Sequence, residues 1–238
     1  MVIKNNDERL QNIKICGVNN EIYGIDYVPS ICNLNISIFG NNNKVYIPKD
    51  LKINKNGGGV FININGNNNE IKIGKNVYVN RTLNCIIFKG GIGALSDKCK
   101  IVIGDNCFFN GGNISLLCGE MNTHIDIGND CLFASDITLA TSDNHSIFNK
   151  ETKKRLNYAG NIVIGKHCWI CDDVKILNHS YIGDECVIAT KALVVSFPKK
   201  LFSFFYKKPP NNCIIGGIPA RILKKNIVWH REIKEFLE

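Results

Sequence analysis

A histidine on a polar stretch is the first residue of this chain that could do chemistry. His145 sits in Ser142-Asp143-Asn144-His145-Ser146. A loop histidine is most often simply solvated. An imidazole is also the side chain best suited to take a hydroxyl proton near neutral pH. In that role its second nitrogen needs a partner to fix the tautomer; Asp143, Glu151 and backbone carbonyls are all within sequence reach. Three later features accompany it: Trp169 in Lys166-His167-Cys168-Trp169-Ile170, the run Ala189-Thr190-Lys191, and Gly217-Ile218-Pro219-Ala220-Arg221. Lys191 and Arg221 have the charge to meet phosphates. His124, His167, His179 and His230 have weaker claims, and His167 and His179 are expected to face solvent.

The elements that must position these residues are written in a repeat. Segments begin at Ile47, Ile73, Ile103, Ile127, Ile164 and Ile182; the first reads Ile-Pro and the other five Ile-Gly. The stretch from Ile164 to Val195 divides into sixes: IGKHCW, ICDDVK, ILNHSY, IGDECV, IATKAL. An aliphatic residue opens each six. The fifth place is small: Cys168, Val174, Ser180, Cys186, Ala192. A fixed short period gives each repeat the same environment, which is the signature of a solenoid. Three sixes from Ile164 to Ile182 close one triangular turn. The opening residue points inward and the fifth must fit a corner. The sixth points outward, so a tryptophan there needs a bound molecule or a neighbouring subunit to cover it.

The repeat also organises the rest of the chain. From Asn33 apolar and polar residues alternate as in half-buried strands. The GNNN tracts at Gly40 and Gly66 suit tight corners, because Gly and Asn tolerate left-handed backbone angles. The expected organisation is an N-terminal cap over 1–32, a β-helix over 33–225 and a short C-terminal helix over 226–238. Ile227, Trp229, Ile233 and Phe236 fall broadly on one side of that helix. The spacings Ile73 to Ile103 and Ile103 to Ile127 exceed one turn and call for corner insertions or imperfect coils. Two interruptions stand out, an excursion at 143–161 and an insertion at 196–212. Excursions from a rigid scaffold are where function concentrates.

Composition sets bounds. The 238 residues suffice for one domain with a substantial core, and 45% are hydrophobic. The start lacks a signal-peptide pattern and no run is long enough to cross a bilayer, so a cytoplasmic location is expected. The net charge of +8 favours polyanions, but there is no nucleic-acid-binding motif. Eleven cysteines might suggest a disulfide scaffold. Their number is odd and Cys107, Cys131, Cys168 and Cys186 share one repeat position, so they are read as small, buried, reduced core residues. Cys168 and Cys171 have metal-ligand spacing, but the repeat assigns Cys168 to a corner and no metal is expected.

The excursion histidine, the outward Trp169, the small-residue coil and the Pro-Ala-Arg exit together resemble the hexapeptide-repeat acetyltransferases. They are most similar to bacterial sugar O-acetyltransferases acting on capsule or other surface polysaccharides, including sialic acid. The resemblance covers roughly residues 35 to 225 by repeat pattern. It implies an all-β fold, a left-handed parallel β-helix; the left hand comes from the resemblance alone, since parallel crossovers are generally right-handed. It implies acetyl-CoA as acyl donor, a glycan acceptor and a homotrimer. His145 would be the base, with Asp143 as a candidate partner. Trp169 would lie near the acetyl and pantetheine end of coenzyme A. Cys171, Ala189, Thr190, Lys191, Pro219 and Arg221 would flank the rest. Two positions depart from the family pattern: Cys171 stands where Gly is usual, and Ala189-Thr190-Lys191 replaces a Gly-Ala-Gly or Gly-Ala-Lys run. Both narrow a pantetheine groove without closing it.

Two alternatives remain at the level of sequence: N-acetylation of a nucleotide-linked amino sugar, and a non-catalytic β-helix module. The first lacks its usual N-terminal nucleotide-binding unit. Pro198 to Pro210, PKKLFSFFYKKPP, has aromatics between two lysine pairs. It is expected either to pack beside the cofactor groove or to touch an anionic membrane surface peripherally.

Overall fold

A computed structural model describes residues 2–3, 12–25, 33–88, 96–195 and 210–235. Most of the expected N-terminal cap, the 196–209 part of the insertion with its aromatics, and 236–238 of the tail lie outside them. The described chain is all-β: three eight-stranded sheets form the sides of a prism. One complete coil shows the order. Ile162–Ile164 lies in a first sheet, Trp169–Ile170 in a third, Lys175–Leu177 in a second, and Ser180–Ile182 returns to the first. Within a sheet, successive coils pair parallel and in register, as in Ile73, Ile103, Ile127, Ile164 and Ile182.

The register explains the repeat. Each opening residue from Ile164 to Val194 is buried, at 2% exposure or less, as are the fifth-place Cys168, Val174, Ser180, Cys186 and Ala192. The fourth place turns the corner. His167, Asp173, His179, Glu185 and Lys191 all have φ between 49° and 60°. The Gly after each Ile is required by close stacking. A Cβ on Gly128 would lie 2.6 Å from the Gly165 carbonyl carbon, and one on Gly74 would lie 2.5 Å from that of Gly104.

Polar side chains tie the corners together. Asn43 Oδ1 accepts from the Asn69 N–H, and Asn69 Oδ1 accepts from the Cys99 N–H, so the GNNN tracts do form corners. The cysteine column is a second ladder. Cys107, Cys131 and Cys168 donate to the carbonyls of Gly128, Gly165 and Gly183, at 3.2, 3.2 and 3.1 Å. Burial pushes the thiols of Cys171 and Cys186 up to about 11. Such thiols stay protonated near neutral pH. Nine of the ten described cysteines are buried, as the sequence implies, whereas Cys16 is exposed.

The structure differs from the sequence expectation at four points. Stacked strands extend N-terminal to Asn33, with Ile13–Cys16 and Glu21–Tyr23 already in register. Part of the long first-half spacing is taken up by seven-residue strands in the second sheet, Gly59–Asn65, Thr82–Phe88 and Asn113–Gly119. The end of the insertion rejoins the coil: Asn211 Oδ1 accepts from the Asp184 N–H, and Asn212 has φ 53°.

The fourth difference is the tail, which is not helical over its described part, 226–235. Its groups are taken by the coil instead. The Ile227 N–H donates to the Asn212 carbonyl, and Trp229 Nε1–H donates to the His167 carbonyl at 2.8 Å. Only Trp229 is buried, while Val228 and Ile233 face out. No helix among the described residues is long and apolar enough to cross a membrane.

Candidate active site

The excursion leaves after Thr138–Ala140 in the second sheet and returns at Ile162–Ile164 in the first. It is a hairpin lying on the corner. The Leu156 N–H donates to the Ile147 carbonyl at 2.7 Å, and Phe148 bridges Arg155 antiparallel. Asn149 Oδ1 caps the tip by accepting from the N–H groups of Glu151 and Thr152. Gly160 closes the base by donating its N–H to the Thr141 carbonyl at 2.9 Å. That N–H is therefore committed within the chain.

His145 is exposed beside this base, and among the described residues its ring makes no hydrogen bond. Asp143 is close in sequence, but its carboxylate accepts from Asn157 Nδ2 at 2.9 Å. Glu151 is exposed at the hairpin tip. The hairpin is bolted to the coil through Glu120. Arg155 donates to both Glu120 oxygens, at 2.7 and 2.8 Å, and Ser142 Oγ donates to Oε1 at 2.6 Å. The Arg155 hydrogen bonds, with help from Ser142, hold the Glu120 carboxyl below the usual range. This clamp escapes sequence reading, because Glu120 and Arg155 stand 35 residues apart and belong to no repeat position.

The remaining candidates lie on the third sheet and its corner toward the second. Trp169 pairs with Leu132 and Val187 and is 36% exposed. Cys171, Ala189 and Gly216 form a row across successive strands. The Cys171 N–H donates to Ile188 and the Ala189 N–H to Ile215. Arg221 stands opposite Gly216 on the antiparallel final strand Ala220–Lys225. Pro219 is exposed in the turn of that hairpin, after a cis peptide bond. Thr190 and Lys191 are exposed at the corner. Cys171 is buried.

Trp169 has a neighbour that the repeat does not reveal. The ring of Trp229, brought back by the tail, lies 5.9 Å away, and it stacks on His167 at 4.3 Å. His167 is thus half-buried, contrary to the expectation of a solvent-facing side chain, with Nδ1 2.6 Å from Asp130 Oδ2. Arg231 continues the tail's attachment with a 2.7 Å contact to Asp130 Oδ1. His179 is exposed as expected; its Nε2 lies 3.1 Å from the Tyr158 carbonyl.

Small residues pack the row from Cys171 to Gly216, an aromatic face opens beside it, and two cations flank it. A Cβ at Gly216 would come within 2.9 Å of both Ala189 Cβ and Leu223 Cδ1, so the end of the row is close-packed and suits glycine. His145 stands at a different corner of the prism, between the second and first sheets. The construction is that of a hexapeptide-repeat β-helix, with a histidine excursion at one corner and a cationic, small-residue row beside an outward tryptophan at another.

Comparison with known proteins places it further. No family model matches. A polysialic acid O-acetyltransferase of Neisseria meningitidis is 30% identical over 217 residues, which is 91% of this chain and 88% of the relative. A polysialic acid O-acetyltransferase of Escherichia coli O1:K1 is 31% identical over 146 residues, 61% of this chain; the match spans 43% of that longer relative. The solved polySia-specific acetyltransferase NeuO superimposes with a TM-score of 0.68 at 27% identity, covering 95% of this chain and 88% of that one. The polysialic acid O-acetyltransferase OatWY gives 0.60 at 26%, covering 94% and 93%. The chain belongs to the polysialic acid O-acetyltransferase family of left-handed β-helix, hexapeptide-repeat transferases.

Proposed function

We propose that the chain transfers an acetyl group from acetyl-CoA to a hydroxyl of sialic acid in a bacterial surface glycan, with His145 as general base. The observation that carries this reading is the likeness to the meningococcal polysialic acid O-acetyltransferase along nearly the whole of both chains.

The residues fit the acyl donor. The row Cys171, Ala189 and Gly216 offers a floor of small groups for a narrow pantetheine chain. Trp169 supplies apolar contact at its side. Lys191 and Arg221 supply charge for phosphates. The thioester brings an already activated acyl carbon, so this chain must mainly activate the acceptor. The exposed His145 imidazole takes the acceptor's hydroxyl proton as the oxygen attacks the carbonyl carbon. The proton then passes to the departing thiolate.

His145 and the acyl-donor residues occupy different corners of one prism. A neighbouring copy whose His145 corner faces this chain's third sheet completes the site, which supports a homotrimer with three shared sites. The surplus of cationic residues suits a polyanionic acceptor.

The test is turnover of acetyl-CoA with sialic acid oligomers, neutral oligosaccharides and nucleotide-linked amino sugars as acceptors. Activity with the sialic acid oligomers is expected. Turnover confined to the amino sugars would move the assignment to N-acetylation, and none with any acceptor would favour a binding module.

A further inference from the structure

The half-buried amide of Asn157 lies across the excursion from His145 and has all its short contacts there. Its Nδ2 donates to the His145 carbonyl at 2.8 Å and to Asp143 Oδ2 at 2.9 Å. Its Oδ1 accepts from the Ile147 N–H at 2.7 Å. The backbone is thereby held directly at His145, two residues after it, and through a side chain two residues before it. Asn144 between them adopts φ 63° and donates its N–H to Ser142 Oγ at 3.0 Å. Ser142 in turn leans on Glu120, which Arg155 holds from the returning strand. The exposed His145 ring has no hydrogen-bond partner among the described residues, so among them its orientation is set through its backbone. That backbone is fixed by Asn157 from across the hairpin and by Glu120 from the coil beneath.

We infer that Asn157 is a positioning residue for His145, aligning the imidazole by clamping the main chain on both sides of it. The inference rests on the reading of His145 as the base. Asn157 touches neither acceptor nor acyl donor in this role. A carboxamide is needed because the clamp uses a donor and an acceptor together. Asp would keep the acceptor for Ile147 but lose the donor and place a second carboxylate beside Asp143. Misplacement of a reacting group by about 1 Å can cost up to about a hundredfold in rate. The effect should therefore fall on kcat, with little on acetyl-CoA binding.

The experiment is a double-mutant cycle in the full chain, with steady-state kinetics on a sialic acid oligomer. Asn157→Ala and Asn157→Asp should each lower kcat by about ten- to a hundredfold, with the KM for acetyl-CoA within about twofold of wild type. In the His145→Ala background Asn157→Ala should cost nothing further, because the group it aligns is gone. A merely structural asparagine would lower the residual rate in both backgrounds by the same factor, and that result overturns the inference. Wild-type kcat in Asn157→Asp overturns it too, and that variant decides the question if the alanine variant fails to fold. If His145→Ala alone keeps wild-type turnover, the reading of His145 fails first; if His145→Ala is inactive while Asn157→Ala is normal, only the positioning role fails.

Discussion

At Glu120 a guanidinium and a hydroxyl converge on one carboxylate that joins coil to excursion. Its proton affinity is lowered on folding, chiefly by Arg155. A depressed carboxyl pKa gives stability that is full above the unfolded value and is lost as pH falls through the folded one. Acid should therefore loosen the wild-type excursion, while Glu120→Gln, already without the charge, should show a flatter response. Thermal unfolding of the two proteins from neutral to acid pH checks this, and parallel profiles would refute it. Trp169 carries a second prediction at this scale. Its replacement by Ala should raise the KM for acetyl-CoA more than that for the acceptor, as loss of a large aromatic contact predicts. Unchanged kinetic constants would reduce Trp169 to a packing partner of Trp229. His145 and Trp169 were legible as candidates because they break a repeat whose other outward positions are ordinary. Asn157, Glu120 and Trp229 were not, since their roles depend on contacts across 12, 35 and 62 residues of chain.

Coils were the most readable elements. The Ile-Gly period fixes which side chain points inward and where the small fifth residue is buried, and both hold in the structure; the turn at the fourth place and the close stacking at each Gly emerge only from the structure. A Gly128→Ala substitution tests that logic: its Cβ would meet the next coil's backbone at 2.6 Å, with no flexible side chain to give way. Overpacking of this kind costs about 1–3 kcal/mol, which for a chain of this size lowers Tm by several degrees. An unchanged Tm would show that the coils can spread. The tail was misread for a physical reason. Apolar residues at helical spacing imply a helix only if one face is buried, and here a single tryptophan is captured by the coil while its neighbours face solvent. A seven-residue strand likewise does not announce itself against a background of sixes.

At the scale of the whole molecule, the proposed base and the residues proposed for the acyl donor stand on different edges of one prism, so the proposed reading calls for a second chain at each site. A particle of three chains is expected by light scattering; a fully active monomer would contradict it. Shared sites also predict complementation. At acetyl-CoA concentrations well below the KM of the Trp169→Ala variant, co-expressed His145→Ala and Trp169→Ala chains should form mixed trimers containing some intact sites, with activity above either variant alone; activity no higher than that of the better variant would place each site within one chain. The most direct test of the central claim is the turnover number of His145→Ala against wild type on a sialic acid oligomer, with acetyl-CoA affinity measured in the same samples. A fall of about two to four orders of magnitude with affinity retained is the predicted result; a folded variant with wild-type turnover would contradict the account.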